Sequence, residues 1–310
     1  MTYQSRRSSS TNSRPSRKPT KARRPSWSTA ERPKGKGRIS AETAAGANDQ
    51  TGPSKDGSDS SWQPVHTWYN ELVGDKGHYY HQHVILPRLL ELMEFTDESS
   101  LLDLACGQGV LARSLPKAVE YWGVDVARSL IEAAQSKDDN ARHHFAVADL
   151  LRPTLPVSKT DFSHATMILA LQNIKNPSTI FDHAEYHLKP GGKFLIVLNH
   201  PCFRIPRQSS WGVDSYKKTQ YRRIDRYLTP IEIPIQAHPG QSQRSAMTWS
   251  YHFPLSAYIN GLSRAGFVVT GFEEWSSDKS SEGKAAKMEN RSRSEIPLFA
   301  AILAEKRKDS

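Results

Sequence analysis

The nine residues Leu101-Leu-Asp-Leu-Ala-Cys-Gly-Gln-Gly109 constrain the fold more than any other part of the chain. An apolar run ends in a turn with two glycines, the opening of a strand, turn and helix unit whose helix is expected at Val110, Leu111 and Ala112. Glycine lets the backbone approach a ligand closely, and the N-terminus of the following helix favours a negative group. The spacing Gly107-x-Gly109-x-x-Ala112 also fits a dinucleotide fingerprint. Asp103, inside the strand four residues before Gly107, tips the balance: a carboxylate there suits a ligand carrying an ammonium and a sulfonium, and repels a pyrophosphate.

Short apolar runs then alternate with helical ones. Strands are predicted at Leu101 to Ala105, Tyr121 to Val124, His144 to Val147, Thr166 to Leu171 and Phe194 to Leu198. Alternation of this kind means βαβ units and a mainly parallel sheet. Ahead of it, Leu86, Leu89, Leu90 and Met93 mark an amphipathic lead-in helix. Asn176 and Pro177 suit the cap and first turn of a later helix, with Ile180, Phe181, Ala184 and Leu188 on one face and Gly191 as its stop. Leu255, Tyr258, Ile259 and Leu262 form another helical face before Gly266, followed by strand-like runs at Phe267 to Phe272 and Pro297 to Leu303. Between Pro201 and His252 the alternation breaks into a stretch rich in aromatics and proline, with Lys217, Lys218, Arg222 and Arg223 clustered within it. A loop of that length is usually functional.

Charge is distributed unevenly. Of 42 Lys and Arg residues twelve lie between Met1 and Arg38, with one of the 32 acids, Glu31, so the remaining 272 residues carry 30 basic against 31 acidic. An attraction to nucleic acid or an anionic membrane therefore has to rest mainly on that tail. Residues 1–61 have almost no large aliphatic side chain and are expected to be disordered, with Trp27 and Trp62 read as incidental. An organellar transit peptide is disfavoured by the proline content and the lack of an apolar face, which leaves the cytoplasm as the expected compartment. Cys106 and Cys202 are too few for a disulfide framework, a four-ligand zinc site or an iron-sulfur cluster, so no metal is expected.

From Leu101 to Lys306 the chain resembles the class I, Rossmann-like S-adenosylmethionine methyltransferases, whose first motif has this D-x-x-C-G-x-G form. Further motifs follow in the family's order: Tyr121-Trp-Gly-Val-Asp125, Ala148-Asp149-Leu150, and Lys189-Pro-Gly-Gly-Lys193 before an apolar strand. The resemblance implies a doubly wound, seven-stranded, mainly parallel α/β sheet and S-adenosyl-L-methionine as cofactor. It gives Asp125 the two ribose hydroxyls and Asp149 the adenine amino group. Asp103, Ala105, Cys106, Gly107, Gly109, Val126, Leu150 and Leu169 complete the implied cofactor set, Cys106 as a small packing residue under the turn. The domain is expected over 62–306, with a lid and helix at 62–96, a substrate-covering insertion after strand five at 201–252, and a disordered end at 307–310.

The acceptor should lie beyond the carboxyl ends of strands four and five. Gln172 and Asn173 stand at the first of these, and Asn199, His200 and Phe203 at the second, with Tyr80 from the lid and Trp211 from the insertion as further pocket candidates. The amino-methylating DNA and RNA enzymes carry an Asn or Asp, Pro, Pro, aromatic motif after strand four. Here Leu171-Gln-Asn-Ile174 replaces it, which excludes that subclass. His200 is the candidate general base, since a histidine titrates near neutrality, and His238 and His252 are substitutes. Tyr79, Tyr80, His81 and His83 form a polar aromatic group behind a hinge at Gly77. The leading expectation is methyl transfer to a small aromatic or amphiphilic molecule. The alternatives are an RNA methyltransferase, on ribosomal RNA for instance, using the basic tail, a silent cofactor-binding module, and an NAD-dependent reductase.

Overall fold

A computed structural model describes residues 77–236 and 247–308. The basic tail at 1–61, with Trp27 and Trp62, and the candidate His238 lie outside the described residues. The lead-in segment is a π-helical turn, His81–Ile85, running into helix α1 (Leu86–Met93), with Pro87, which has no N–H to give the helix, just past the junction. Leu86, Leu89 and Met93 are its buried face.

The strands that follow are β1 (Ser100–Leu104), β2 (Glu120–Asp125), β3 (His143–Val147), β4 (Phe162–Ile168) and β5 (Leu188–Asn199). Helix α2 (Arg128–Lys137) connects β2 to β3, and α3 (Pro177–His187) connects β4 to β5. After the insertion come α4 (Leu255–Arg264), β10 (Phe267–Trp275), α5 (Ala286–Glu295) and β11 (Phe299–Lys306). Seven strands form one sheet in the order β10-β11-β5-β4-β1-β2-β3, parallel except for β11, which runs antiparallel to both β5 and β10. The winding reverses between β1 and β4, which opens a crevice at their carboxyl ends.

Helices cover both faces, and neighbouring residues on a strand fall into different cores. Leu102 and Ile196 join Phe181, Tyr258 and Leu262 on one face; Leu101 and Leu195 join Leu89, Met93 and Trp275 on the other. Burial on both faces explains why the strands read as apolar runs without alternation. Asn176 caps α3 by accepting the Ser178 amide at 3.3 Å.

Three local expectations are corrected. The helix predicted after Gly109 is a series of turns ending in one 3₁₀ turn, Ala112–Ser114. Leu115 is held extended (ψ 156°) because Pro116 follows it, so the helix cannot propagate. Helix α3 stops at His187, before Gly191; that glycine lies within β5 in the left-handed region (φ 75°). The insertion is no loop but two antiparallel hairpins, β6 (Ser209–Asp214) with β7 (Thr219–Ile224), and β8 (Ile231–Gln236) with β9 (Met247–His252). The first hairpin turns on Asp214, whose Oδ1 accepts the amides of Tyr216 and Lys217.

Candidate active site

The crevice holds a cavity of about 400 Å³. Its floor is the backbone after β1 and β4, where Ala105 (φ 62°) and Leu169 (φ 51°) adopt left-handed conformations without being glycine. Each costs about 1 kcal/mol or more and persists only where its surroundings hold it. The Leu169 amide is held by the Val197 carbonyl at 2.7 Å. Gly107 (φ 55°) and Gly109 (φ 70°) complete the turn, and a Cβ on Gly109 would stand 3.0 Å from the Phe145 ring.

Asp125 ties the end of β2 to this turn. Its Oδ2 accepts the Gly107 amide at 3.0 Å and its Oδ1 the Ala127 amide at 2.9 Å. Burial pushes its carboxyl up from the usual range, against the pull of those backbone donors. A carboxylate has about four lone-pair sites, so acceptor capacity remains toward the cavity. Asp149 stands on the same wall, accepting the Leu151 amide at 2.9 Å and lying 3.6 Å from Arg152 Nε. Val126 and Leu150 line the cavity beside these acids.

Asp103 does not line the cavity. It is 2% exposed beneath the turn, accepting the Tyr121 hydroxyl and the Thr166 hydroxyl at 2.8 Å each. Burial raises its carboxyl to about 7, although both donors favour the ionised form. Cys106 packs under the turn as well, where a Cβ on Gly123 would meet its Sγ at 2.8 Å, and burial raises its thiol well above the ordinary range.

Of the acceptor candidates, Asn173 lines the cavity. Gln172 turns back to donate to the Leu169 carbonyl at 2.7 Å. Tyr80 lies edge-on against Phe299, 5.7 Å between centroids, its hydroxyl 3.1 Å from that of Ser277. Asn199 is exposed at the end of β5. His200 is 1% exposed and outside the cavity wall, stacked near Phe203 at 4.8 Å, with Nε2 2.6 Å from Glu274 and Nδ1 accepting the Cys202 amide at 3.2 Å. Burial lowers its basicity. His252 is 5% exposed, and its Nε2 donates to the Tyr227 carbonyl at 2.6 Å. Trp211 stands on β6, with the guanidinium carbons of Arg204 and Arg222 at 5.3 and 5.2 Å from its ring centroid.

Trp249 and Tyr251 of β9 also line the cavity, with Lys175, which is paired to Glu232 at 2.9 Å. Neither aromatic was singled out from the sequence. The signal was available: Met247-Thr-Trp-Ser-Tyr-His252 alternates with period two, and the structure buries Thr248, Ser250 and His252 while leaving Trp249 40% exposed.

The profile of a family described as a methyltransferase domain matches residues 77–270. A 2-phytyl-1,4-naphtoquinone methyltransferase of Nostoc punctiforme is 33% identical over 156 residues, 48% of this chain and 61% of that protein. A malonyl-[acyl-carrier protein] O-methyltransferase of Hahella chejuensis is 28% identical over 140 residues, 43% of this chain and 47% of that protein. The chain therefore spans about half to three fifths of the length of these relatives. The crystal structure of an S-adenosylmethionine-dependent methyltransferase from Mesorhizobium loti superposes with a TM-score of 0.55 at 22% identity, over 71% of this chain and 96% of that one. Among the described residues, no helix is long and apolar enough to cross a membrane.

Proposed function

Because the chain belongs to the methyltransferase-domain family, as a class I enzyme that uses S-adenosylmethionine, we propose that it methylates a small aromatic or amphiphilic acceptor held against the β8–β9 hairpin. The observation that carries this reading is the cavity itself. Its lining combines the carboxylates of Asp125 and Asp149 with the aromatic rings of Trp249 and Tyr251.

The residues present suit the cofactor. Positive φ at Ala105 and Gly107 turns backbone, not side chains, toward the ligand. In this reading Asp125 would accept the ribose hydroxyls and Asp149 the adenine amino group, with Val126, Leu150 and Leu169 as apolar lining for the ring; that all five line one cavity supports it. When bound, the cofactor supplies an electrophilic methyl group on a sulfonium. The protein's part is alignment and exclusion of water. Trp249 and Tyr251 offer a flat surface on which a ring or an apolar chain can lie. No histidine lines the cavity among the described residues; an ionised acid or phenol or a neutral amine is the kind of acceptor that would need no general base there. Relatives named for a phytyl-naphthoquinone and for a malonyl group on a carrier protein support acceptors of this size and character.

Calorimetric titration with S-adenosylhomocysteine, then transfer of a labelled methyl group to phenolic, quinol and fatty acid acceptors and to total RNA, tests the reading. Trp249→Ala should raise the acceptor KM about tenfold, the value of one aromatic contact, with S-adenosylhomocysteine affinity unchanged. Transfer to RNA alone, or a Trp249→Ala variant that is indistinguishable from wild type, would refute it.

A further inference from the structure

Arg204 and Arg222 are half-buried guanidiniums on either side of the same stretch of insertion, both close to the Trp211 ring. Their hydrogen bonds go to neutral groups. Arg204 Nε donates weakly to the Pro297 carbonyl at 3.4 Å, and its two terminal nitrogens bond nothing among the described residues. Arg222 donates to the Phe203 carbonyl at 2.8 Å and the Ser209 hydroxyl at 2.7 Å. Neither forms an ion pair among the described residues. The carboxylates on neighbouring elements are committed elsewhere, Asp225 to Arg223 and Glu274 to His200, each at 2.6 Å. Two partly desolvated cations with no counter-charge are costly, and they repel one another. The strain is visible in Arg204, whose guanidinium burial and the nearby Arg222 pull down to about 10.

Their place in the fold points to a use. Arg204 follows the end of β5, held by its amide to the His200 carbonyl at 2.7 Å, and Arg222 is the cross-strand partner of Trp211 in the β6–β7 hairpin. Strand β5 lies beside β4, whose carboxyl end floors the cavity. The cations therefore belong to the segment that leaves β5 and to the hairpin that follows it; neither lines the cavity, and neither is on the strands that carry its acids.

We propose that Arg204 and Arg222 form an anion subsite that takes a carboxylate on the acceptor. Arg204 has two terminal nitrogens to offer as a fork, the geometry that matches a planar carboxylate, while Arg222 adds charge and the Trp211 ring lies against both guanidiniums. This deepens the methyl-transfer reading by naming the acceptor's second functional group, and it can fail separately.

The probes are 4-hydroxybenzoate and its neutral isostere 4-hydroxybenzamide, titrated into the full chain with and without S-adenosylhomocysteine. Wild type should bind the carboxylate at least about tenfold more tightly than the amide, the low end for a charge-assisted pair. Arg204→Gln and Arg222→Gln should each abolish that preference and leave the amide unaffected. Arg204→Lys should restore part of it, which a merely structural role would not predict. Thermal melting and S-adenosylhomocysteine binding of each variant establish that it is folded. Equal affinity for the two probes, no carboxylate binding, or a preference that survives in the folded Arg204→Gln variant overturns the subsite. Loss of S-adenosylhomocysteine binding in wild type instead overturns the cofactor reading and leaves the probe comparison to be read without it.

Discussion

Nε2 of His200 lies 2.6 Å from Oε1 of Glu274, 74 residues further along the chain, while Nδ1 of the same ring accepts the Cys202 amide. The hydrogen-bond network assigns the proton to Nε2, so neither nitrogen has a lone pair to offer a substrate. The ring joins the end of β5 to β10 and fixes the turn that leads to Arg204.

His200→Ala should therefore cost stability more than chemistry. The expected loss is about 1 to 3 kcal/mol in denaturant unfolding, from the unpaired groups it leaves behind. The shape of the pH–rate profile should stay the same. A hundredfold or larger fall in kcat at unchanged stability, the range of general-base catalysis, would return His200 to the role of base.

Removing the Asp125 carboxylate should weaken S-adenosylhomocysteine binding by about 1.5 to 3 kcal/mol, as expected for charge-assisted hydrogen bonds to a ribose. Part of the loss in Asp125→Ala will come from the freed Gly107 and Ala127 amides. Asp125→Asn, which keeps one acceptor oxygen, separates the two contributions in parallel calorimetry and melting. Unchanged affinity in both folded variants would contradict the ribose assignment.

His164 and Asp103 set opposing slopes of stability with pH. His164 is 8% exposed, and burial lowers it from 6.5 to about 4. Between those values the unfolded chain binds more protons, so this contribution is complete above about 6.5 and is lost as pH falls toward 4. It amounts to something on the order of 3 kcal/mol. Asp103 is the reverse case: its folded value near 7 exceeds the unfolded 3.8, so the native state binds more protons and stability declines as pH rises between them. Asp103→Asn removes that decline. Relative to wild type, the variant's urea midpoint should improve on going from pH 5 to pH 7. An identical shift in the two proteins would show that Asp103 is ionised throughout.

Gly109→Ala should destabilise the protein by about 1 to 2 kcal/mol, the penalty of a left-handed φ for an L side chain. Its new Cβ also meets the Phe145 ring at 3.0 Å and Ala134 at 3.2 Å. Melting and S-adenosylhomocysteine titration should both register the change. A variant as stable as wild type would mean that the turn can relax without its left-handed residue.

The sheet was readable from local pattern. The apolar runs and the Asn176 cap depend on neighbours a few residues away and lie where that reading put them, and Asp125 and Asp149, singled out by spacing, line one cavity. What the pattern missed depends on distant partners. The pairing of His200 with Glu274, the hydroxyls of Tyr121 and Thr166 on Asp103, and the seating of Trp249 in the same cavity as Asp149 all join segments separated along the chain. The two hairpins of the insertion were obscured by a different cause. Their strands are short, and one face of the first is polar and solvent-facing at Ser210 and Arg223, so no apolar alternation announces that hairpin, whereas the second carries one over Met247 to His252.

Strand β11 lies between β5 and β10, although it is the last of the described strands to leave the ribosome. Until it is made, β5 has an open edge at Phe194 to Leu198 and β10 has nothing to pair with in the sheet. Closure of the sheet is thus postponed until β11 has been made, and the nascent chain carries an unpaired apolar edge meanwhile, the kind of surface that recruits chaperones or aggregates. Loss of the segment Phe299–Lys306 would cut β10 off from β5 and so remove two strands' worth of pairing, not trim one edge. Shortened products would then be expected in the insoluble fraction, even with every residue of the cofactor wall present.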